Sequence, residues 1–315
     1  MHYVAASVLA VVATECSASV AQSIEPHLAQ SVFEHSKTWT ITRSKVSNGA
    51  VATVISNFLP PTIAEAWHSE LNSTWKASEG CREVESAETC TPGGDGCTWL
   101  YTTNSRGSNR KIRSVWSRGQ RRKEVMEAYR RQSFAYSKWE LTAGHSLYRT
   151  VGTLMESQPV REAIASAQWP GASPDRGRRL GNITDYFITS YADGDFLSTH
   201  SDGASGSLAW VLHLTARGEW PKGSGGELRF NPGSASPGHK DFVPSFNRLL
   251  LFLTRPDSTP HQVLPVRLPF RADPRFGLTG WYMTSGDRFS ASTARENEAM
   301  RAAASKASMA SDVCI

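Results

Sequence analysis

Two different patterns of hydrophobic and polar positions divide the chain near residue 175. After that point, short runs of β-branched and aromatic residues alternate with turn residues, and no helical pattern separates them. The runs are "ITDYFITSY", "FLSTHSD", "LAWVLHLT", "GELRF", "NRLLLFL", "HQVLPVRL" and "RFGLTGWYM". Many short strands without helices between them are typical of a jelly roll and not of a parallel α/β sheet. We therefore predict a mainly β protein with flanking helices (α+β) and a jelly-roll core.

Before residue 175 the pattern is mainly helical. A short β-rich run precedes "LPP" and apolar residues at helical spacing follow it, and further helices are predicted at about 120–130 and about 145–167. We expect these helices to form a layer that supports the β core. The predicted segments are a leader or linker at 1–45, an N-terminal helical support region at 46–175, the jelly-roll domain at 176–289 and a flexible Ala- and Ser-rich tail at 290–315.

The N-terminus and the cysteines leave the cellular compartment open. The run "YVAASVLAVVA" resembles the apolar core of a signal peptide at 1–22, but it lacks the usual basic start. Cys81, Cys90 and Cys97 lie close together in a loop-like stretch. Two of them could form a disulfide in a secreted protein, whereas all would be free thiols in the cytosol. Secretory and cytoplasmic locations are both compatible with the sequence.

Composition and charge narrow the class of protein. With 39% hydrophobic and 20% charged residues the chain has an ordinary globular composition, and no apolar stretch is long enough to cross a bilayer. The net charge of +5 is distributed unevenly, because ten Lys or Arg and only two Glu lie within 106–131. This basic region is interpreted either as a solvated helix face or as a docking surface for an acidic partner or nucleic acid. The oligomeric state is left open.

A metal site is predicted from three residues in the β-rich half. His200 and Asp202 stand two apart in a predicted strand, so their side chains point to one face. His261 supplies a third ligand at the start of a later strand. Two imidazoles and one carboxylate on one face of an octahedral ion leave three positions open, which is the arrangement of non-heme Fe(II) oxygenases. The carboxylate also offsets part of the charge of the ion.

Arg275 is the candidate anchor for a cosubstrate. Strand alternation in "RFGLTGWYM" places Arg275, Gly277 and Trp281 on one face. A guanidinium group directed into an apolar barrel is costly unless it meets an anion, and its planar fork matches a carboxylate. Arg267 and Arg271 are rivals, but they lie in a Pro-interrupted run. An iron ion and a guanidinium group suggest a dicarboxylate that bridges them, and 2-oxoglutarate has that shape.

The order of these motifs resembles a known enzyme family. The motifs are Tyr191, "GDFLSTHSD", "GGELRF", "PSFNRLLLFL", "HQVLPV" and "RFGLTGWY". Together they resemble the Fe(II)/2-oxoglutarate dioxygenase superfamily, and its prolyl 4-hydroxylase-like branch in particular. The resemblance implies a double-stranded β-helix core, His200, Asp202 and His261 as iron ligands, Arg275 as the anchor for the far carboxylate, and Tyr191 as a cosubstrate or substrate contact. It also implies Fe(2+) and 2-oxoglutarate as cofactors, O2 as cosubstrate and L-ascorbic acid as a candidate reductant.

Two residues depart from the family pattern. Members often carry Ser or Thr two residues after the arginine, where this chain has Gly277, and a tyrosine on the third strand, where this chain has His213. His213 could still donate a hydrogen bond to the carboxylate, although a core histidine is the simpler interpretation. Both departures concern the cosubstrate and leave the iron ligands intact.

The resemblance implies oxidative hydroxylation of an aliphatic C–H group, with a prolyl residue of a peptide or protein as the favoured substrate. The alternatives are a small-molecule hydroxylase, a catalytically silent jelly roll that binds a partner, and a cupin-type isomerase or storage protein, which would not need Arg275. A nucleic-acid substrate is disfavoured because Trp281 stands where the demethylating relatives carry a second arginine. Asp202 argues against the halogenating variants, which leave the carboxylate position to chloride.

Overall fold

The computed structural model describes residues 27–47, 50–77, 99–104, 109–111, 134–139, 146–171, 180–202, 205–231, 238–254, 259–269 and 272–284. The strands in these ranges are β1 (Thr40–Lys45), β2 (Val51–Ser56), β3 (Trp99–Asn104), β4 (Asn109–Lys111), β5 (Phe134–Trp139), β6 (Leu180–Tyr191), β7 (Phe196–His200), β8 (Leu208–His213), β9 (Leu228–Phe230), β10 (Lys240–Phe242), β11 (Arg248–Leu253), β12 (His261–Val263) and β13 (Arg275–Thr284). The helices are α1 (27–35), α2 (Pro61–Ala77), α3 (Ser146–Glu156) and α4 (Gln158–Gln168), and a 3-10 turn at Ser36–Thr38 follows α1.

The strands form two antiparallel layers that meet at β5. One layer has the order β1-β2-β11-β8-β13-β6, and the other has the order β7-β12-β9-β10. Strand β5 pairs with β6 of the first layer and with β7 of the second. From β6 onward the chain therefore crosses between the layers at every step except from β9 to β10, which are neighbours in the second layer, as in a double-stranded β-helix. The predicted jelly-roll core with flanking helices is confirmed.

Strand β8 illustrates why the sequence forms two layers of core. All six of its residues are buried, because its two faces pack against different partners. Leu208, Trp210 and Leu212 belong to the core on the helix side of the sheet, whereas Ala209 and Val211 belong to the core inside the barrel. A strand that is covered on both faces reads as a continuous apolar run, and this explains the pattern "LAWVL".

The helices pack on the outer face of the first layer, as the sequence predicts. Trp67 and Leu71 of α2 are buried there with residues of α3 and α4. The helix predicted at about 145–167 is in fact two helices, because the chain is extended at Ser157, with ψ of 135°. Pro159 lies at the start of α4, where its missing N–H costs no helical hydrogen bond.

The predicted leader or linker at 1–45 is wrong for its described part. Residues 27–35 form α1, which buries Leu28, Ala29 and Val32 in the helix-side core. Strand β1 pairs with β2 along all of its length. Because β1 is an edge strand with mostly exposed side chains, "TITRSK" carries almost no hydrophobic pattern. In the region predicted at 46–175, the short β-rich run before "LPP" forms β2 of the first layer, and the region also contains β5, which joins the layers and was not predicted.

Several sequence-based predictions fall outside the described residues. They are the signal-peptide-like segment at 1–22, the three clustered cysteines, the helix at about 120–130, most of the basic region at 106–131 and the tail at 290–315. None of the described helices is long and apolar enough to cross a membrane.

Candidate active site

Strand pairing between β7 and β12 brings the predicted metal ligands together. His200 is the last residue of β7, and His261 is the first residue of β12. These two residues are direct partners in the antiparallel ladder, so their rings lie side by side with centroids 4.2 Å apart. Asp202 follows two residues after His200, just beyond the end of the strand. The three side chains reach one point at the end of the two strands.

The distances within this triad fit a single ion. One Asp202 carboxylate oxygen, Oδ1, lies 3.3 Å from His200 Nε2, and the other, Oδ2, lies 3.5 Å from His261 Nε2. One ligand atom from each residue lies within 4.8 Å of the other two. Two imidazole nitrogens and one carboxylate oxygen form the donor set that leaves open positions on Fe(II).

Backbone carbonyl groups fix the tautomer of both histidines. The Nδ1 of His200 donates to the carbonyl oxygen of Ser198 at 2.9 Å, and the Nδ1 of His261 donates to that of Thr259 at 2.8 Å. A carbonyl oxygen can only accept, so each Nδ1 carries a proton and each Nε2 is the ring atom left to bind a metal ion. This arrangement orients metal-binding imidazoles in many proteins.

Burial and mutual charge also set the protonation of the triad. Burial and the neighbouring His200 lower the pKa of His261 to about 4, so its ring is neutral at neutral pH. Burial alone would raise the pKa of Asp202, but hydrogen bonding to His200 and the charges of both histidines lower it overall. Burial opposes protonation of His200, yet Asp202 raises the pKa of that histidine above its ordinary value. A metal cation bound here would take the place of the proton on His200 as the positive partner of the Asp202 carboxylate.

Arg275 is buried beside the same cavity. It begins β13 opposite Tyr191, the last residue of β6, and its guanidinium carbon lies 4.8 Å from the centroid of the Tyr191 ring. Burial lowers the pKa of Arg275 to about 10, while the charges of Tyr191 and Glu227 oppose this decrease. The guanidinium therefore stays charged at neutral pH, and its Nε has no hydrogen-bond partner among the described residues. A buried cation with a free donor favours an anion.

A cavity of about 320 Å³ joins the triad to Arg275. His200, Asp202, His261 and Arg275 all line it. Much of the remaining wall is aromatic, with side chains from Phe134, Tyr136, Phe187, Tyr191 and Trp281. The rings of Tyr136 and Tyr191 lie 5.2 Å apart, and burial raises the pKa of Tyr136 to about 12. The cavity therefore places a cation-binding end and an anion-binding group within mainly apolar walls.

Only one of the two further residues predicted to contact the cosubstrate lines the cavity. Tyr191 lies on its wall and covers one face of the Arg275 guanidinium group. His213 is buried on β8, but Val211 and not His213 contributes to the cavity wall. Neither ring nitrogen of His213 has a hydrogen-bond partner among the described residues. Burial, together with the charges of Arg275 and Arg248, holds the pKa of His213 well below its ordinary value.

Sequence reasoning missed the contributions of Phe134, Tyr136 and Thr189 to the cavity. Phe134 and Tyr136 lie on β5, in the region predicted to be helical support. The alternation of aromatic and small residues in "FAYSKW" was the available sign of a strand. Thr189 lies in the predicted strand "ITDYFITSY" on the same face as Tyr191.

The geometry agrees with a comparison against known protein families. Residues 186–283 match the family described as the 2OG-Fe(II) oxygenase superfamily. This segment belongs to that superfamily. The oxygenase segment contains His200, Asp202, His261 and Arg275, whereas Phe134 and Tyr136 precede it. No curated protein sequence matches the chain.

Three solved structures of prolyl hydroxylases are similar to the chain at low sequence identity. A prolyl-4-hydroxylase from Pseudomonas putida is 18% identical, with a TM-score of 0.42 over 81% of this chain and 98% of the other. A prolyl hydroxylase from Trichoplax adhaerens, solved with a hypoxia inducible factor oxygen degradation domain peptide fragment, is 17% identical, with a TM-score of 0.38 over 83% and 91%. A prolyl 4-hydroxylase from Phytophthora capsici is 14% identical, with a TM-score of 0.37 over 82% and 64%.

The residues present fit the two cofactors that the superfamily description names. Two imidazole nitrogens and a carboxylate suit Fe(II), and the unpartnered donor of Arg275 suits the carboxylate of 2-oxoglutarate. The oxygenase segment therefore has an intact donor set for both groups.

Proposed function

We propose that the protein is an Fe(II)- and 2-oxoglutarate-dependent dioxygenase that hydroxylates an aliphatic C–H group. The observation that carries this proposal is that one cavity is lined both by the compact His200, Asp202 and His261 cluster and by the buried Arg275. A metal-binding protein of the cupin type would need the first feature but not the second. Overall, substrate, 2-oxoglutarate and O2 would give hydroxylated substrate, succinate and CO2.

The triad would hold the iron and set its charge. His200 and His261 would bind through Nε2, because their Nδ1 atoms are engaged by carbonyl groups. Asp202 would contribute a negative charge on the same side of the ion, since its pKa is lowered. Iron held in this way supplies the activation of O2 and the oxidising power.

Arg275 and the aromatic walls would orient the reactants. The guanidinium group would bind the far carboxylate of 2-oxoglutarate, so that the 2-oxo acid end reaches the triad. Tyr191 fixes one face of the guanidinium and excludes water from it. The apolar rings of Phe187 and Trp281, whose centroids lie 5.6 Å apart, would surround the substrate carbon and keep water away.

The proposed substrate is a prolyl residue of a peptide or protein. The order of motifs in the sequence resembles prolyl 4-hydroxylases, and a cavity walled by aromatic rings suits a small apolar ring such as that of proline. Three further points stay predictions. They are ascorbate as the reductant, an acidic partner for the 106–131 region, and the secretory or cytoplasmic location.

The first test is an anaerobic titration of the Fe(II)-loaded protein with 2-oxoglutarate. The visible charge-transfer band of an iron-bound 2-oxo acid is expected in the wild type. It should be absent in H200A, which loses a ligand, and should require at least about tenfold more 2-oxoglutarate in R275A, which loses a charged hydrogen bond. Manganese binding and thermal melting serve as controls for a folded metal site.

Two outcomes would contradict the proposal. A folded, iron-loaded wild type without the band would favour the silent binding module. Equal affinity of wild type and R275A for 2-oxoglutarate, measured from the band, would remove the role of Arg275 and favour a cupin-type protein.

The second test concerns the substrate. If the titration is positive, proline-containing peptides are expected to gain the mass of one oxygen atom in the presence of O2, and H200A should abolish this gain.

A further inference from the structure

Thr189 is a buried hydroxyl group on the wall of the cavity beside Arg275. It is the direct partner of Gly277 in the ladder between β6 and β13. Only 2% of Thr189 is exposed, and the residue lines the cavity. Its hydroxyl donates to the carbonyl oxygen of Gly277 at 3.1 Å. This hydroxyl takes no part in the site as described so far.

Gly277 has no side chain between two donor groups of the cavity wall. A Cβ atom at position 277 would lie 3.2 Å from Thr189 Oγ1, which is a tight contact, and 3.6 Å from Arg275 Nη1. Its third neighbour, Val211 Cγ1, would be 4.0 Å away. The hydroxyl and the guanidinium therefore both border the position of this absent side chain, and Thr189 and Arg275 line the same cavity.

We propose that the Thr189 hydroxyl is the second donor, after Arg275, to the far carboxylate of 2-oxoglutarate, and that Gly277 leaves the room that this contact requires. This inference rests on the proposed function and assigns a cosubstrate-binding residue within it. Thr189 thereby strengthens the preference for a dicarboxylate over a 2-oxo monocarboxylate that Arg275 provides.

The contact needs only a rotation of the hydroxyl hydrogen. Thr189 Oγ1 already lies beside the position of the absent side chain, and turning the O–H bond redirects it from the Gly277 carbonyl to the incoming anion. A hydrogen bond to a carboxylate is stronger than one to a neutral carbonyl, so the exchange is favourable. Tyr191 covers a face of the guanidinium and leaves its N–H edge for the same anion. Two donors from neighbouring strands would fix the orientation of the carboxylate.

The experiment compares two ligands on the Fe(II)-loaded protein under anaerobic conditions. 2-Oxoglutarate has the far carboxylate, whereas pyruvate keeps the metal-binding 2-oxo acid and lacks it. Thr189→Val removes the hydroxyl and nearly keeps the shape, and Thr189→Ser keeps the hydroxyl. Thr53→Val is the matched control, because Thr53 is a fully buried threonine on β2 that does not line the cavity. Dissociation constants come from the charge-transfer band, and thermal melting reports the fold.

We expect Thr189→Val to weaken 2-oxoglutarate binding by about tenfold or more and to leave pyruvate binding unchanged. Thr189→Ser and Thr53→Val should bind both ligands as the wild type does. The inference is wrong if Thr189→Val binds 2-oxoglutarate like the wild type, or if it weakens both ligands equally, since the residue would then act on the fold alone. If Thr189→Val does not fold, Thr189→Ala replaces it, with the same expectations. Failure of the wild type to bind 2-oxoglutarate would instead refute the proposed function.

Discussion

His213 is a buried histidine whose electrostatic neighbours are Arg275 and Arg248. Two positive charges and complete burial make its protonated form costly, so it stays neutral in the folded protein well below pH 6.5. A histidine in the unfolded chain binds a proton near pH 6.5. The unfolded state therefore binds one proton more than the native state as the pH falls below that value, and acidification reduces stability.

We expect the H213Q variant to lose this part of the pH dependence. Between pH 6.5 and 5.5 the wild type should lose about 1 kcal/mol more unfolding free energy than H213Q, because one unit of pKa difference corresponds to about 1.4 kcal/mol. Urea unfolding of both metal-free proteins at the two pH values measures the difference. His200 and His261 titrate in both proteins and cancel in the comparison. An identical decline in both proteins would show that His213 is protonated in the native state.

Residues of the candidate site differ in how well their place in it can be predicted from the sequence. His200, Asp202 and His261 could be predicted because their chemistry is specific and the strands that carry them have clear patterns. Thr189 could not, because its relation to Gly277 depends on the register of β6 against β13, and a shift by one residue would turn it to the other face. A threonine in a strand carries no sign of this on its own.

At the scale of elements, the loop at 220–227 packs closely against the 264–267 segment and against Arg275. Its backbone passes so close to the 264–267 segment that a Cβ atom on Gly225 would lie 1.9 Å from the carbonyl oxygen of Pro265. Gly226 donates its N–H to the Leu264 carbonyl at 3.0 Å, and a Cβ there would lie 3.3 Å from Arg275 Cδ. Glycine at both positions permits the close approach, and both have positive φ.

The G225A variant should therefore be much less stable than the matched variant G223A. Both glycines have positive φ, at +65° and +82°, but a Cβ on Gly223 would meet nothing within 4 Å. Backbone strain alone should cost G223A about 1 kcal/mol, whereas the overlap with Pro265 should add about 2 kcal/mol or more in G225A. Urea unfolding of both variants measures the two losses. Equal losses of unfolding free energy in the two variants would mean that the 220–227 loop can move away from Pro265 at little cost.

The elements that the sequence predicted well are those that carry a pattern of their own. Strands β6 to β9 and β11 to β13 correspond to the seven predicted runs, and their sequential order already favours a jelly roll. Strand β10, with two of its three side chains exposed, and the exposed edge strand β1 do not stand out in the sequence. Strand β5 shows only the short alternation in "FAYSKW". The break between α3 and α4 at Ser157 could not be predicted either, because apolar residues at helical spacing continue on both sides of it.

At the scale of the whole molecule, the segment 27–45 is part of the fold and not a linker. Helix α1 buries three side chains in the helix-side core, and β1 covers an edge of β2. Removing these elements would leave apolar surface exposed and an unpaired strand edge in the larger layer. The folded unit therefore includes residues from well before the family segment.

A protein that starts at residue 46 should melt well below one that starts at residue 27. Loss of the buried side chains of α1 and of the six paired positions of β1 should cost several kcal/mol, or roughly 10 °C in Tm. Differential scanning calorimetry of the two proteins makes the comparison. Matching melting curves would show that α1 and β1 are not needed for the stability of the barrel.

Strand β5 has a consequence for how such a protein changes during evolution. His200, Asp202, His261 and Arg275 all lie within the family segment at 186–283, but Phe134 and Tyr136 reach the cavity from outside it. Mutations in β5 can therefore change the shape of the cavity while the metal-binding cluster and Arg275 are left intact. Two descendants of one ancestor could keep identical family segments and still act on different molecules.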